Sequence, residues 1–182
     1  SVVNARIVEA GSDRLTLADG SEHPFDFSLI VPAFLGSPFV RSVDGLANPR
    51  GFITVTPHLA STGFANVYAA GVAVAIAPPG PTPVPVAVPK TGHMTELMAQ
   101  AAARNIAAEF SGGEKVDGMT LPSTCIADTG EAAFYMSADP FLPPRNKVIV
   151  KKGKWARYLK LAFERYYLAR VRHELPSSHF GW

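Results

Sequence analysis

Three short stretches of this chain carry residue types that can do chemistry. The first runs Asn66-Val67-Tyr68-Ala69-Ala70-Gly71-Val72, crosses a proline-rich loop, and reaches a helix start at Pro89-Lys90-Thr91-Gly92-His93-Met94. A backbone leaving an apolar strand at glycine can approach a ligand closely, with the amides of Gly71 and Val72 as donors. Lys90, Thr91 and Gly92 stand where the helix dipole and the first-turn amides favour negative charge, although plain capping would use the same residues. Together they suit a phosphate-bearing or otherwise electron-rich ligand. The second stretch holds Cys125, the sole cysteine. On an apolar strand such a residue is ordinarily a small buried hydrophobe, and a lowered thiol pKa would make it a nucleophile. The third, from Lys154 past Lys160 to Arg172, interleaves cations with aromatic rings.

Those residues need elements to hold them. Alternation and turn residues predict strands at Arg6–Glu9 and Arg14–Leu17, an Asp19-Gly20 turn, and a core strand at Phe27–Val31. Pro32 to Pro49 reads as an irregular crossing, followed by an extended piece at Phe52–Val55 and a strand at Val67–Ala70. After the prolines, Met94, Leu97, Met98, Ala101, Ala102, Ile106 and Phe110 recur at helical spacing up to Gly112-Gly113. Strands at 123–127, 132–137 and 147–150 suggest an antiparallel layer. A last helix from about Lys154 to about His173 puts Trp155, Leu159, Ala162, Phe163 and Tyr166 on one face.

Composition narrows the function classes. A chain of 182 residues that is 47% hydrophobic and 18% charged has the apolar material for one good core. The prolines crowd between Pro78 and Pro89, which marks one special loop and not a disordered chain. No run of eighteen apolar residues and no secretion signal is present, and a start at Ser1 reads as a processed protein or an excised piece. One cysteine excludes an internal disulfide, and the five histidines lack metal-ligand spacing, so no metal site is expected. Residues 1–150 hold 9 Lys/Arg against 13 Asp/Glu, whereas residues 151–182 hold 8 against 2. The basic tail therefore faces something anionic. With no nucleic-acid-binding module beside it, a membrane surface is the better match, Trp and Tyr lying at the water line, and an ordinary amphipathic docking helix is the alternative.

Several segments, in order and spacing, resemble the sulfide:quinone oxidoreductases: Val31-Pro32-Ala33-Phe34, Gly45-Leu46-Ala47-Asn48-Pro49, Ala65 through Ile76, Thr82-Pro83-Val84-Pro85, Pro89-Lys90-Thr91-Gly92, and Lys154-Trp155 through Phe163-Glu164. The resemblance covers nearly the whole chain. It is similar to the C-terminal portion of that family, because no G-x-G-x-x-G fingerprint precedes Gly36. The fold implied is α+β or α/β: part of a Rossmann-like FAD/NAD(P)-binding domain, made of strands plus one long helix, then a small antiparallel layer and a C-terminal amphipathic helix. Residues 1–112 would belong to the FAD-binding domain and residues 113–182 to a region meeting quinone and membrane.

The resemblance also implies roles. Gly71, Val72, Lys90, Thr91 and Gly92 would contact FAD; Val72 stands where many relatives carry Asp, so contact there would rest on main chain. Cys125 would be a redox cysteine beside the flavin, its thiolate passing two electrons to the oxidised ring. The Lys160 ammonium would stabilise the anionic reduced ring, which would lie between it and the Cys125 sulfur. Ile126 and Phe163 would line an apolar slot for the quinone. The function implied is electron transfer from sulfide through FAD to a membrane quinone by a prokaryotic, monotopic flavoprotein, compatible with a homo-oligomer. A type II NADH:quinone dehydrogenase and a non-catalytic fragment or membrane-binding module stay open as alternatives, the chain alone being too short to hold FAD with its usual contacts.

Overall fold

The computed structural model describes residues 5–31, 34–77, 80–81, 91–140, 142 and 144–173. The first layer is an antiparallel meander of β1 (Ile7–Ala10), β2 (Arg14–Leu17) and β3 (Glu22–Pro24). Its second turn is the expected Asp19-Gly20: Gly20 takes φ +84, the Asp19 carboxylate accepts from the Ser21 amide at 2.9 Å, and the Leu17 amide donates to the Ser21 carbonyl.

The expected core strand at Phe27–Val31 does not form. Phe27, Leu29 and Val31 are 84%, 83% and 75% exposed, and no ladder reaches them. An apolar run specifies burial but not the edge that must accept its backbone groups, and among the described residues no sheet edge lies beside this one. A four-residue helix α1 (Pro38–Arg41) lies inside the segment read as irregular. Pro38 at its start suits the first helical position, where a missing N–H costs nothing.

From residue 47 to residue 76 the chain is held by isolated bridges in place of full strands: Ala47 with Ile53, Val55 with Ser61, Ala60 with Tyr68, and a parallel bridge of Ile53 with Val74. The expected extended pieces at 52–55 and 67–70 are thus single-bridge contacts. What makes them rigid is α2 (Gly92–Ser111), which buries Met94, Met98, Ala101 and Ala102 against Ile53, Leu59, Ala69 and Val74. Leu59 is fully buried at φ +69, and a Cβ on Gly118 would stand 2.3 Å from its Cδ1, so glycine is required there.

The third layer is the antiparallel sheet of β4 (Ser123–Asp128), β5 (Ala133–Asp139) and β6 (Lys147–Gly153), with α3 (Lys154–Arg172) packed on all three strands. These four elements match the sequence reading to within a few residues. The architecture is mixed α+β, and both sheets are antiparallel.

Candidate functional site

Gly71 opens a three-residue turn, Gly71–Ala73, at φ +61. A Cβ there would stand 2.3 Å from Thr95 Cγ2, so the fold already requires glycine for the close approach of α2. The turn closes with the Val74 amide donating to the Gly71 carbonyl at 3.1 Å, and Val72 points outward, 64% exposed. The structure thereby lays the Gly71 exit on the first turn of α2, as the motif spacing anticipated. Thr91 caps that helix: its hydroxyl accepts from the Met94 amide at 3.2 Å, and its carbonyl accepts from the Thr95 amide and hydroxyl. Helix geometry leaves the amides of Gly92 and His93 without carbonyl partners inside the helix. Gly92 is exposed, and no described atom lies within 4 Å of where its Cβ would stand. Among the described residues nothing requires glycine at that point, and the position stands open beside bare backbone. Lys90 lies outside the described residues, as do Thr82–Pro85.

The N-cap is tied to the sheet, Thr91 Oγ1 standing 3.4 Å from Ser123 Oγ at the start of β4. Strand alternation then decides where the next side chains go. The register pairs Ser123 with Ala138, Cys125 with Met136 and Ala127 with Phe134, and carries on to Val148, Val150 and Lys152 in β6. These residues share one face, as the Lys152 ammonium 5.2 Å from the Phe134 ring centroid agrees. Cys125, a free half-buried thiol, therefore stands on the face that reaches the α2 N-terminus, about 7 Å along the strand from Ser123.

The opposite face carries Ile126, Asp128, Ala133 and Tyr135, and α3 covers it. Trp155 lies 5.7 Å from Tyr135 between ring centroids, Arg157 is 3.8 Å from Asp128, and Ala156 and Ala133 are fully buried. Lys160 follows Ala156 by one turn and is half-buried; Phe163 lies a further turn on, 44% exposed, its ring 5.9 Å from that of Tyr167. The face pressed inward is Ala156, Leu159, Lys160, Tyr166 and Arg170, while Trp155, Ala162 and Phe163 are exposed. Small Ala156 lets the helix axis come close to the sheet.

Ile126, Lys160 and Phe163 thus belong to one side of the sheet and Cys125 to the other. The described cavity, lined by Ile76, Met94, Met98, Gly118, Met119, Leu121 and Leu142, has neither Cys125 nor Lys160 in its wall.

Two polar features were missed. Asn105, fully buried, donates from Nδ2 to the carbonyls of His58 and Val116 at 2.8 and 2.9 Å, and its Oδ1 accepts from the Val116 amide at 2.7 Å. A polar residue on the apolar stripe of α2, spaced with Met94, Met98 and Ala101, was the available signal. Glu96 in α2 pairs with Arg170 in α3 at 2.6 Å, a contact across 74 positions that no local pattern announces. Beside Glu96, burial pushes the His93 imidazole below its ordinary pKa, with Glu96 opposing. Among the described residues, no cluster of three or more His, Cys, Asp or Glu could hold a metal ion.

No family model matches the chain. It is 39% identical over 178 residues to the sulfide-quinone reductase of Aquifex aeolicus (strain VF5), an alignment spanning 94% of this chain and 41% of that protein. The X-ray structure of the sulfide:quinone oxidoreductase from the hyperthermophilic bacterium Aquifex aeolicus superposes with a TM-score of 0.86 at 38% identity. That superposition covers 97% of this chain and 43% of the other, so the chain spans less than half the length of these relatives.

Proposed function

We propose, from the premise that this chain is homologous to sulfide:quinone reductases over part of their length, that it is the electron-transfer part of a FAD-dependent oxidoreductase taking electrons from sulfide to a membrane quinone. The observation that carries the reading is the alternation of β4. A two-electron carrier that meets a sulfur donor and a quinone acceptor needs the two kept apart. β4 sends Cys125 to the face that joins the α2 N-terminus and Ile126 to the face under α3.

The residues present fit FAD. Gly92 leaves room against the backbone, and the first-turn amides of α2 favour negative charge. Gly71, Val72, Thr91 and Gly92 would hold the group, with Lys90 as a further candidate, and when bound it would store the electron pair between donor and acceptor. Of the chain's own groups, Cys125 would present its sulfur on the donor side. Lys160 would place a cation on the acceptor side, where developing negative charge is stabilised. Ile126 and Phe163 would offer apolar surface to a flat ring. In this division residues 1–112 serve the cofactor and residues 113–182 the acceptor.

The membrane belongs to the same reading. Among the described residues no helix is long and apolar enough to span a bilayer. The outer side of α3 instead exposes Tyr158, Leu161, Leu168 and Val171 among its cations, which suits a helix lying in the interface plane of an anionic surface.

The test is stopped-flow reduction by sulfide in a protein that carries this chain and retains flavin. Cys125→Ser is expected to abolish sulfide-driven bleaching of the flavin band while leaving its resting absorbance, and Lys160→Met to slow reoxidation by quinone while sparing reduction. Unchanged bleaching in Cys125→Ser would refute the donor assignment.

A further inference from the structure

We infer that the Glu96–Arg170 ion pair positions the acceptor side: it fixes where Lys160 and Phe163 sit relative to the first turn of α2. The inference rests on the function proposed above only in naming what is positioned.

α3 is fastened near its start and near its end. At the start, Ala156 is buried against the sheet, Trp155 packs on Tyr135, and Arg157 reaches Asp128. From there to Val171 most side chains are exposed, with Leu159, Lys160, Tyr166 and Arg170 half-buried. Arg170 then closes the far end with a 2.6 Å contact to Glu96, the two side chains 22% and 32% exposed. The two fastenings are 13 residues apart, roughly 20 Å of helix at 1.5 Å per residue. Lys160 and Phe163 lie between them. A rod held at both ends keeps its middle in place; held at one end it pivots, and the displacement grows with distance from the hinge.

The partner at the far end matters. Glu96 is the fifth residue of α2, one turn beyond Gly92 and next to Thr95, which packs against Gly71. The helix end proposed to face the cofactor and the helix proposed to face the quinone are thus joined by one charge-assisted hydrogen bond. Partial burial shields it from salt better than an exposed pair, and Glu96 in turn holds the Arg170 guanidinium above its ordinary pKa. Neither residue is among those proposed to bind a ligand, so both are positioning residues.

The test needs neither FAD nor quinone, so its failure is distinct from failure of the functional reading. Spin labels at Ala99→Cys in α2 and Phe163→Cys in α3, in a Cys125→Ser background, report the separation of the two helices in the 182-residue chain. One narrow distance distribution is expected. Glu96→Gln and Arg170→Gln should each broaden it and speed amide exchange across residues 160–170 roughly fivefold, with exchange at 98–108 unchanged. The charge swap Glu96→Arg with Arg170→Glu should restore both. An unbroadened distribution in the single variants would overturn the inference. Equal acceleration in α2 and α3 would overturn it too, since the pair would then serve global stability and not position.

Discussion

α2 and α3 have nearly the same length, 20 and 19 residues, and opposite relations to the rest of the molecule. α2 buries Met94, Met98, Ala101, Ala102, Asn105 and Ala108, is capped by the Thr91 side chain, and ends at Gly112 in the left-handed region with φ +70. α3 buries only Ala156, has no side-chain cap at Gly153, and carries Arg170 and Arg172 in its last turn. Helical stability in proteins comes mainly from packing of one face, so α2 is determined by the core, while α3 rests on the β4–β6 sheet by a narrow face and leaves its outer surface exposed. A change to α2 should therefore be read in folding, and a change to the outside of α3 in binding.

Asn105→Leu should break the α2 side of this contrast most severely. The asparagine satisfies two carbonyls and one amide from 58 and 116, and leucine takes its bonds from all three, leaving the Val116 carbonyl only the His58 Nδ1 at 3.2 Å. A loss of about 3 kcal/mol is expected, seen as a lower denaturant midpoint with an unchanged slope. A loss under about 1 kcal/mol would mean that water replaces the side chain. Next comes Gly71→Ala. The added methyl meets Thr95 and the residue must keep φ +61, so about 2 kcal/mol is expected. Adding Thr95→Ala should recover the steric share and leave the backbone share.

The α3 side is broken by charge. Arg165→Gln with Arg172→Gln should reduce flotation with vesicles rich in anionic lipid by roughly tenfold or more, at about 1 kcal/mol per cation, and leave the denaturant midpoint in place. If the midpoint falls and flotation does not, α3 is an ordinary docking helix.

The same contrast explains what the sequence made legible. α2 was readable because core periodicity, a Thr cap and Gly112-Gly113 all point to one answer. The sheet of β4, β5 and β6 was readable because each strand pairs with its neighbour in sequence. Phe27–Val31 was misread because a strand needs a partner that the run itself does not encode. The inner face of α3 was not legible because its packing is decided by Ala156 against Ala133, two small residues that hydrophobicity ranks low. For the candidate site, the convergence of Gly71 with the start of α2 was visible in motif order. Strand period sets Cys125 and Ile126 on opposite faces of β4, a consequence the sequence reading did not draw, and the sheet stands between the Cys125 face and α3, which carries Lys160. The Glu96–Arg170 contact was beyond reach, since it depends on how two helices cross.

The smallest expected effect is a pH dependence confined to the α2 end. Burial lowers the His93 pKa from its ordinary 6.5, with Glu96 pulling the other way. A histidine whose folded-state pKa is depressed binds fewer protons folded than unfolded, so its contribution is complete above the unfolded value and is lost as pH falls below it. His93 is half-exposed, and water moderates the penalty. Stability should therefore decline slightly as pH drops from 7 towards 5. Protonation of Glu109, whose carboxyl is held down by hydrogen bonds from Tyr68 and then Lys115, adds to that decline only at lower pH. The variant His93→Gln separates the two: its midpoint should stay flat between pH 7 and the carboxylate range, then fall in parallel with the parent chain. Parallel curves over the whole range would place the acid sensitivity outside α2, and the contrast between the helices would lose its electrostatic part.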